Sequence, residues 1–349
     1  MRLSLFFLTL LATYASQISA NQSKHWAVLV AGSHGWDNYR HQSDVAHAYQ
    51  LVSKNGIPPQ NIITMMVDDV ARDPKNPFPG KLFQDYTHQD VYAGVVVDYK
   101  GADVTVNNFI NMLKGDPALK AAGKKVLESG PNDNVFIYMV DHGSRGRFDF
   151  PNQPLQAKLF MQTLVWLNQA RRYKQMLIYI EACFSGSMFE GLLPQNIKTH
   201  FDYMDGGSSG ERGETSGDMQ RCPSLRDTVP EDQVHLFQLK RRLSVNQSPE
   251  QLELARRRLN RATQLARMAK ETVDEIIEQV YRSATPSNPR IDIFETLDCH
   301  NTITEQFEFK CFSLRQVPEA AYEMSKLYRL CELGYDAKSV VQEIFDRCG

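Results

Sequence analysis

Apolar strand-like runs alternate with helix-like patterns along the first half of this 349-residue chain. The strand-like runs cover 26–31, 62–67, 134–140 and 176–182, and the helical patterns cover 42–54, 105–114 and 155–170. Alternation of this kind is typical of a parallel β-sheet covered by helices. We therefore predict an α/β fold with a mostly parallel sheet for this half of the chain.

Two of these strands each end in a chemically reactive side chain. The segment VFIYMVDHG carries His142, and MLIYIEACFSG carries Cys183. Because the carboxyl ends of neighbouring parallel strands open onto one crevice, the imidazole and the thiol can meet there. An adjacent imidazole lowers the pKa of a thiol and generates the nucleophilic thiolate. The pattern indicates a nucleophile with its base, although these residues alone leave open a buried cysteine and an unrelated histidine.

The beginning of the chain predicts entry into the secretory pathway. Residues 1–20 start with Met-Arg, continue through the apolar run LSLFFLTLLA and end in small residues, which is typical of a signal peptide. Later segments do not reach the roughly 18 apolar residues that a membrane-spanning helix needs. The net charge of −2 gives no indication of a polyanionic partner. We expect a mature protein inside the secretory or endolysosomal system, without a membrane span.

The composition divides the rest of the chain into two parts. Residues 199–247 include the stretch GGSSGERGETSGD and predict a flexible linker or activation region after the α/β domain at 21–198. Ser248 can cap a helix whose first residue is Pro249. Gln251, three residues after Ser248, can complete a capping box with it. Apolar residues then recur every three or four positions, so we predict a helical domain over 248–349.

Six cysteines are distributed unevenly. Cys299, Cys311, Cys331 and Cys348 lie in the helical domain, where spacing alone allows three pairings. A bundle stapled by two disulfides fits an oxidising compartment. Cys222 is left over in a polar segment, as a free thiol or an intermolecular partner.

Two basic clusters, 240–242 and 256–258, raise the question of nucleic-acid binding. Acidic residues are interspersed in the same segment, which favours a solvated helix face that docks on the α/β domain. An intermolecular coiled coil is the other alternative. We expect no nucleic-acid partner, no cofactor and no metal.

Several segments together resemble the legumain family, which comprises asparaginyl endopeptidases on a caspase-like fold. The similarity is carried by KHWAVLVAGS (24–33), YRHQSDVAHAYQ (39–50), NGIPPQNIITMMVDD (55–69), NPFPGKLF (76–83), VFIYMVDHGS (135–144) and YIEACFSGSMFEGLLPQNI (179–197). It returns near Gln238 and continues to the C-terminus, where the cysteine spacing resembles the helical pro-domain of the family. The resemblance implies a caspase-like sheet followed by a disulfide-stapled pro-domain.

The resemblance also implies roles for individual catalytic residues. Cys183 is expected to be the nucleophile, His142 the general base and Asn38 the residue that orients the imidazole. The backbone N–H groups of Gly143 and Cys183 could stabilise the oxyanion of the tetrahedral intermediate.

A small polar pocket at Arg40, His41 and Glu181 is expected to recognise asparagine at the cleaved bond. A cation can donate to the carboxamide oxygen while Glu181 accepts from its NH₂ group. Taken alone, an Arg-His pair after a turn is more typical of solvated surface, whereas a carboxylate at the end of an apolar strand needs a partner.

For processing, the resemblance implies a zymogen whose helical domain is removed by cleavage near Asn246. The resemblance also implies the disulfides Cys299–Cys331 and Cys311–Cys348. It further implies that the protein is lysosomal, vacuolar or secreted. The expected partners are protein and peptide substrates, the chain's own pro-domain and cystatin-like inhibitors.

The chain departs from the family pattern in two places. Phe184 stands where the family commonly has an acidic residue, and the family segment that follows LLPQNI is missing, so that Thr199–Asp205 is expected to be a remnant of its far end. A catalytically impaired isoform with a binding or regulatory role is therefore an alternative. A third alternative is a lipid-anchor transamidase subunit. The Glu181-Ala182-Cys183 match and the disulfide-rich C-terminus argue against it.

Overall fold

The structure is a computed structural model that describes residues 23–85, 87–194, 197–204, 234–244, 248–287, 289–290 and 292–349. The predicted signal peptide, Cys222 and Asn246 lie outside the described residues.

Five parallel strands form the main sheet in the order β2-β1-β3-β7-β8. Their bounds are β1 His25–Ala31, β2 Ile62–Met65, β3 Asn134–Val140, β7 Gln175–Glu181 and β8 Thr199–Met204. A small antiparallel sheet contains β4 Gly143–Ser144, β5 Arg147–Phe148 and β6 Leu155–Gln156. The predicted α/β class with a parallel sheet is confirmed.

Helices cover both faces of the main sheet. Helix α1 (Tyr39–Lys54) packs Val45 and Tyr49 on one face, and helices α2 (Val106–Lys114) and α4 (Ala157–Gln169) pack on the other. A short helix α3 (Pro117–Ala121) follows α2. Strands β1 and β3 are buried along nearly their whole length, because their side chains pack against a helix layer on both faces of the sheet.

The predicted linker over 199–247 is wrong for two stretches. Strand β8 extends the sheet to Met204, and helix α5 (Val234–Arg242) forms farther on. The strand forms because its backbone supplies hydrogen bonds to the β7 edge from Met176 to Glu181, groups that would otherwise lack ladder partners.

The C-terminal helices are α6 (Pro249–Ser283), α7 (Ile293–Lys310), α8 (Ala320–Glu332) and α9 (Ala337–Cys348). They enclose a core of their own. The Ser248 capping box forms as the sequence predicts. Both disulfides that the family resemblance implies, Cys299–Cys331 and Cys311–Cys348, are present. In the described part of the chain, every helix is too short or too polar to cross a bilayer.

Candidate active site

The two reactive residues follow neighbouring strands in register. Val140 of β3 pairs with Glu181 of β7, and the Asp141 N–H continues the ladder by donating to the Glu181 carbonyl at 3.2 Å. His142 and Cys183 each lie two residues beyond this last pair. Cys183 is half-buried and is not part of a disulfide. The sheet therefore brings both predicted residues to the same edge.

A hydrogen bond orients His142. Its Nε2 lies 2.8 Å from Asn38 Oδ1, and the Asn38 amide nitrogen donates to the carbonyl of His34 at 3.0 Å. This second contact fixes which end of the amide faces the imidazole. Because the Asn38 oxygen can only accept, Nε2 carries the proton and Nδ1 is the basic nitrogen. Asn38 owes its position to the short 3₁₀ turn Trp36–Asn38 that precedes α1.

The backbone at Gly143 lies directly against the chain at Cys183. A Cβ atom at Gly143 would lie 2.9 Å from the Cys183 carbonyl oxygen and 3.0 Å from that of Arg147, so a larger residue does not fit without movement. After Cys183 the chain turns sharply, with Phe184 in the left-handed region at φ 56°. The two candidate oxyanion donors are thus held on adjacent segments.

A second histidine, His41, is buried next to His142. His41 is 1% exposed, and its Nδ1 is 2.7 Å from Ser33 Oγ and 3.4 Å from Asp141 Oδ1. Burial lowers the pKa of His41 well below its usual value, and the charges of Arg40 and His142 act in the same direction. Burial and the Asp149 charge raise the pKa of Asp141. Burial thus disfavours the charged form of each partner in the His41–Asp141 contact.

Asp141 also fixes the backbone of the catalytic strand end, because its Oδ1 accepts from the His142 N–H at 2.6 Å. Donor atoms of His41, Asp141 and His142 lie within 4.8 Å of one another, which makes them the described residues most able to hold a metal ion. The sequence analysis placed His41 in the lining of a small polar pocket, and the structure buries its side chain against Ser33 and Asp141. Ser33 and Asp141 were missed, although their positions next to strand ends were a usable signal.

The predicted pocket residues lie on two elements, Arg40 and His41 on α1 and Glu181 at the end of β7. Arg40 is the second residue of α1, and its charge acts to lower the pKa of both His41 and Asp141. Glu181 at the end of β7 accepts a hydrogen bond from Tyr138 Oη at 2.7 Å. This is the kind of partner that a carboxylate on an apolar strand requires. Sequence reasoning missed Tyr138, which lies on the same face of the sheet.

The C-terminal helices pack over this edge of the sheet. Helix α8 lies on β4, the Tyr322 ring is 6.3 Å from that of Phe184, and the Arg145 guanidinium lies 4.6 Å from the Tyr328 ring centroid. Phe184 stands where the family commonly has an acidic residue. It directly follows the candidate nucleophile, and its ring contacts the helical domain.

One buried and one exposed ion pair join the two parts of the molecule. Arg147 is 4% exposed and binds Asp149 at 2.9 Å and Glu308 of α7 at 2.6 Å. Despite the opposing effect of burial, these two carboxylates raise the pKa of Arg147. Arg242 of α5 binds Asp37, next to Asn38, at 2.6 Å.

A parallel α/β sheet with a cysteine and an asparagine-bonded histidine at adjacent strand ends has the make-up of a cysteine peptidase. Comparison with known proteins agrees: residues 25–202 match the peptidase C13 family. The chain belongs to the peptidase C13 family, the legumain-type cysteine endopeptidases.

The relatives differ in how much of each chain is aligned. The hemoglobinase of Schistosoma japonicum is 35% identical over 406 positions, covering 96% of this chain and 95% of its own. Legumain of Bos taurus is 51% identical over 173 residues, 49% of this chain and 40% of its own. The vacuolar-processing enzyme beta-isozyme of Arabidopsis thaliana is 41% identical over 225 residues, 64% and 45% respectively. The 406-position alignment exceeds the 349 residues of the chain by 57, so at least 57 positions of that hemoglobinase lack a counterpart here.

Proposed function

We propose that this protein is a legumain-like zymogen of the secretory or lysosomal system that hydrolyses peptide bonds after asparagine. The observation that carries the proposal is the 2.8 Å contact between Asn38 Oδ1 and His142 Nε2, at a strand end adjacent to the one that carries Cys183. This contact leaves Nδ1 of His142 as the base for a thiol.

The catalytic cycle follows from these groups. The Nδ1 atom of His142 takes the Cys183 proton, and the thiolate attacks the scissile carbonyl carbon. The N–H groups of Gly143 and Cys183 stabilise the oxyanion. The imidazolium then protonates the leaving amine as the C–N bond breaks, which leaves a thioester. Water, deprotonated by His142, attacks the thioester, and the thiol regains its proton when the acid product leaves.

Specificity for asparagine comes from two opposite charges. Arg40 donates to the oxygen of the substrate carboxamide, and Glu181 accepts from its NH₂ group. Each well-matched contact of this kind is worth roughly 1–3 kcal/mol if it would otherwise leave a buried group unpaired. An apolar residue in the same place satisfies neither charge.

The helical domain serves as the inhibitor of the unprocessed chain. Support for this comes from the packing of α8 on β4 and from the Phe184–Tyr322 ring contact beside the nucleophile. Cleavage after Asn246, between α5 and α6, separates the two parts. Cystatin-like proteins are proposed as partners of the processed form.

The test uses protein incubated at pH 4–5 and peptides with Asn, Asp or Ala before the scissile bond. We expect cleavage of the Asn peptide above all, no cleavage by Cys183→Ala, and a new N-terminus after Asn246 that Asn246→Gln removes. Turnover by Cys183→Ala equal to that of the wild type would overturn the assignment of the nucleophile.

One observation favours a second candidate, a catalytically impaired member that binds rather than cleaves. At least 57 positions of the Schistosoma japonicum hemoglobinase have no counterpart here, and Leu177 of β7 is 46% exposed on the sheet of this chain. A chain that binds asparaginyl peptides but does not cleave them after acid treatment would support this candidate.

A further inference from the structure

The pairing of β3 with β7 places Tyr138 next to Glu181, which is proposed to bind the substrate carboxamide. In the β3–β7 register Tyr138 lies opposite Tyr179, and Val140 lies opposite Glu181. Tyr138 and Glu181 are therefore diagonal neighbours on one face, a separation that a long aromatic side chain can bridge. The Tyr138 Oη atom bridges it and lies 2.7 Å from Glu181 Oε2.

The phenol of Tyr138 acts as a donor in this contact. Its side chain is buried, and burial together with the negative charges of Glu181 and Asp44 raises the pKa of Tyr138 far above its usual value. The phenol therefore keeps its proton, and an ionised carboxylate can only accept. The hydrogen bond holds whenever Glu181 is charged.

A donor fixed to one carboxylate oxygen restricts the rotation of the whole group. An ionised carboxylate has about four acceptor positions, so Glu181 can hold Tyr138 and also receive the NH₂ of a substrate carboxamide. A charge held in place also repels a substrate aspartate, because two carboxylates cannot share the site without protonation.

We propose that Tyr138 is a positioning residue that sets the preference for asparagine over aspartate by holding Glu181 charged and correctly oriented. The inference rests on the proposed function. Tyr138 does not touch the reacting atoms, and its effect passes through Glu181.

The experiment labels the thiol of Cys183 and needs no peptide turnover. Acid-treated wild type and Tyr138→Phe are exposed to peptidyl chloromethyl ketones ending in Asn or Asp at pH 5–7, and labelling rates are followed by mass spectrometry. In Tyr138→Phe we expect the Asn reagent to react about 10-fold more slowly, as loss of one hydrogen bond to a charged group implies. The Asp reagent is expected to react at a higher pH than in the wild type, since a carboxylate that loses a donor takes up a proton more readily.

Two controls isolate the effect. Tyr99→Phe removes a comparable buried phenol, one that donates to the Lys125 carbonyl at 2.6 Å beside β2, and should change neither rate. Iodoacetamide labelling reports the reactivity of the thiol itself.

The outcomes separate the two claims. A wild type without a preference for the Asn reagent overturns the proposed specificity, and this inference with it. A wild-type preference that Tyr138→Phe retains overturns the inference alone, as does an equal fall in both rates, which would indicate a structural role.

Discussion

At the scale of single residues, the site depends on groups that orient other groups. Asn38 fixes the His142 tautomer, and Asp141 fixes the His142 backbone. Neither transfers a proton in the proposed cycle. Their loss should therefore reduce the rate without removing the chemistry, unlike the loss of Cys183 or His142.

We expect Asn38→Ala to lower kcat/KM for an asparaginyl peptide by about 10- to 1000-fold, because the imidazole then samples unproductive tautomers and orientations. Cys183→Ala and His142→Ala should leave no measurable cleavage. Peptide hydrolysis by purified, acid-treated variants provides the measurement. Full activity in Asn38→Ala would show that the 2.8 Å contact is not used in catalysis.

At the scale of elements, the β4–β5 hairpin and helices α7 and α8 form one interface. His300 of α7 is completely buried there, with its ring 5.4 Å from that of Tyr328 and its Nε2 3.5 Å from Thr304 Oγ1. In the part of the chain that the structure describes, its Nδ1 has no hydrogen-bond partner. Burial, with the positive charges of Arg147 and Arg145 beside it, lowers the pKa of His300 to about 3.

The charged groups around His300 do not stabilise a positive charge on its imidazole. Arg147 is paired with Asp149 and Glu308, and Arg145 lies 3.9 Å from Glu190 and on the Tyr328 ring. A charged imidazole here would be desolvated next to two guanidinium groups. Protonation therefore favours a state in which α7 has left the hairpin.

The direction of the pH dependence follows from this shift. Above the ordinary value of 6.5, both states keep His300 neutral and the closed state is unaffected. As the pH falls from 6.5 towards 3, only the open state binds the proton, so the closed state loses up to about 1.4 kcal/mol per pH unit.

The Arg242–Asp37 pair adds to this at lower pH. Burial opposes ionisation of Asp37, but the hydrogen bond and charge of Arg242 prevail and lower its pKa from the usual 3.8. That stabilisation is present above the usual pKa of 3.8 and is lost as the pH falls below it.

We expect His300→Phe to shift the opening of the helical domain to a pH at least one unit lower. Hydrogen exchange of β4 and α8, measured from pH 7.5 to 4 in the Cys183→Ala background, detects opening without self-cleavage. The exposed His25, changed to Gln, is the matched control and should leave the midpoint unchanged. Equal midpoints for His300→Phe and the parent would contradict the assignment.

At the scale of the whole molecule, the question is what the catalytic part can do without the family segment expected after Asn196. Strand β8 covers the β7 edge, but the wall that faces Arg40 and Glu181 in a full-length family member is expected to be missing. A bound asparagine side chain would then be open to water, which competes for its hydrogen bonds at high dielectric.

We expect this chain to cleave asparaginyl peptides at least about 100-fold less efficiently than a version with the family segment restored after Asn196, which corresponds to a loss of about 2.7 kcal/mol. A Gly-Ser insertion of equal length serves as the matched control, and thermal unfolding separates poor catalysis from poor folding. Equal kcat/KM values in two equally stable proteins would show that the segment is dispensable.

Much of the fold could be predicted because local patterns determine it. Alternating apolar runs predicted β1, β2, β3 and β7, and the Ser248 capping box marked the start of α6. The predicted linker failed at β8, because an edge strand forms through pairing with β7 and has little signal of its own.

The sequence by itself determined the residue types of the site, the strand ends that carry them and, through a family resemblance, the disulfide pairing. Tertiary structure decided which groups touch. The bonds of His142 to Asn38 and of Tyr138 to Glu181 join residues 104 and 43 positions apart. Burial lowers the pKa of His41 and of His300 and raises the pKa of Asp141. The physical reason is that desolvation and hydrogen bonding depend on what surrounds a group in space, which the order of residues along a chain does not contain.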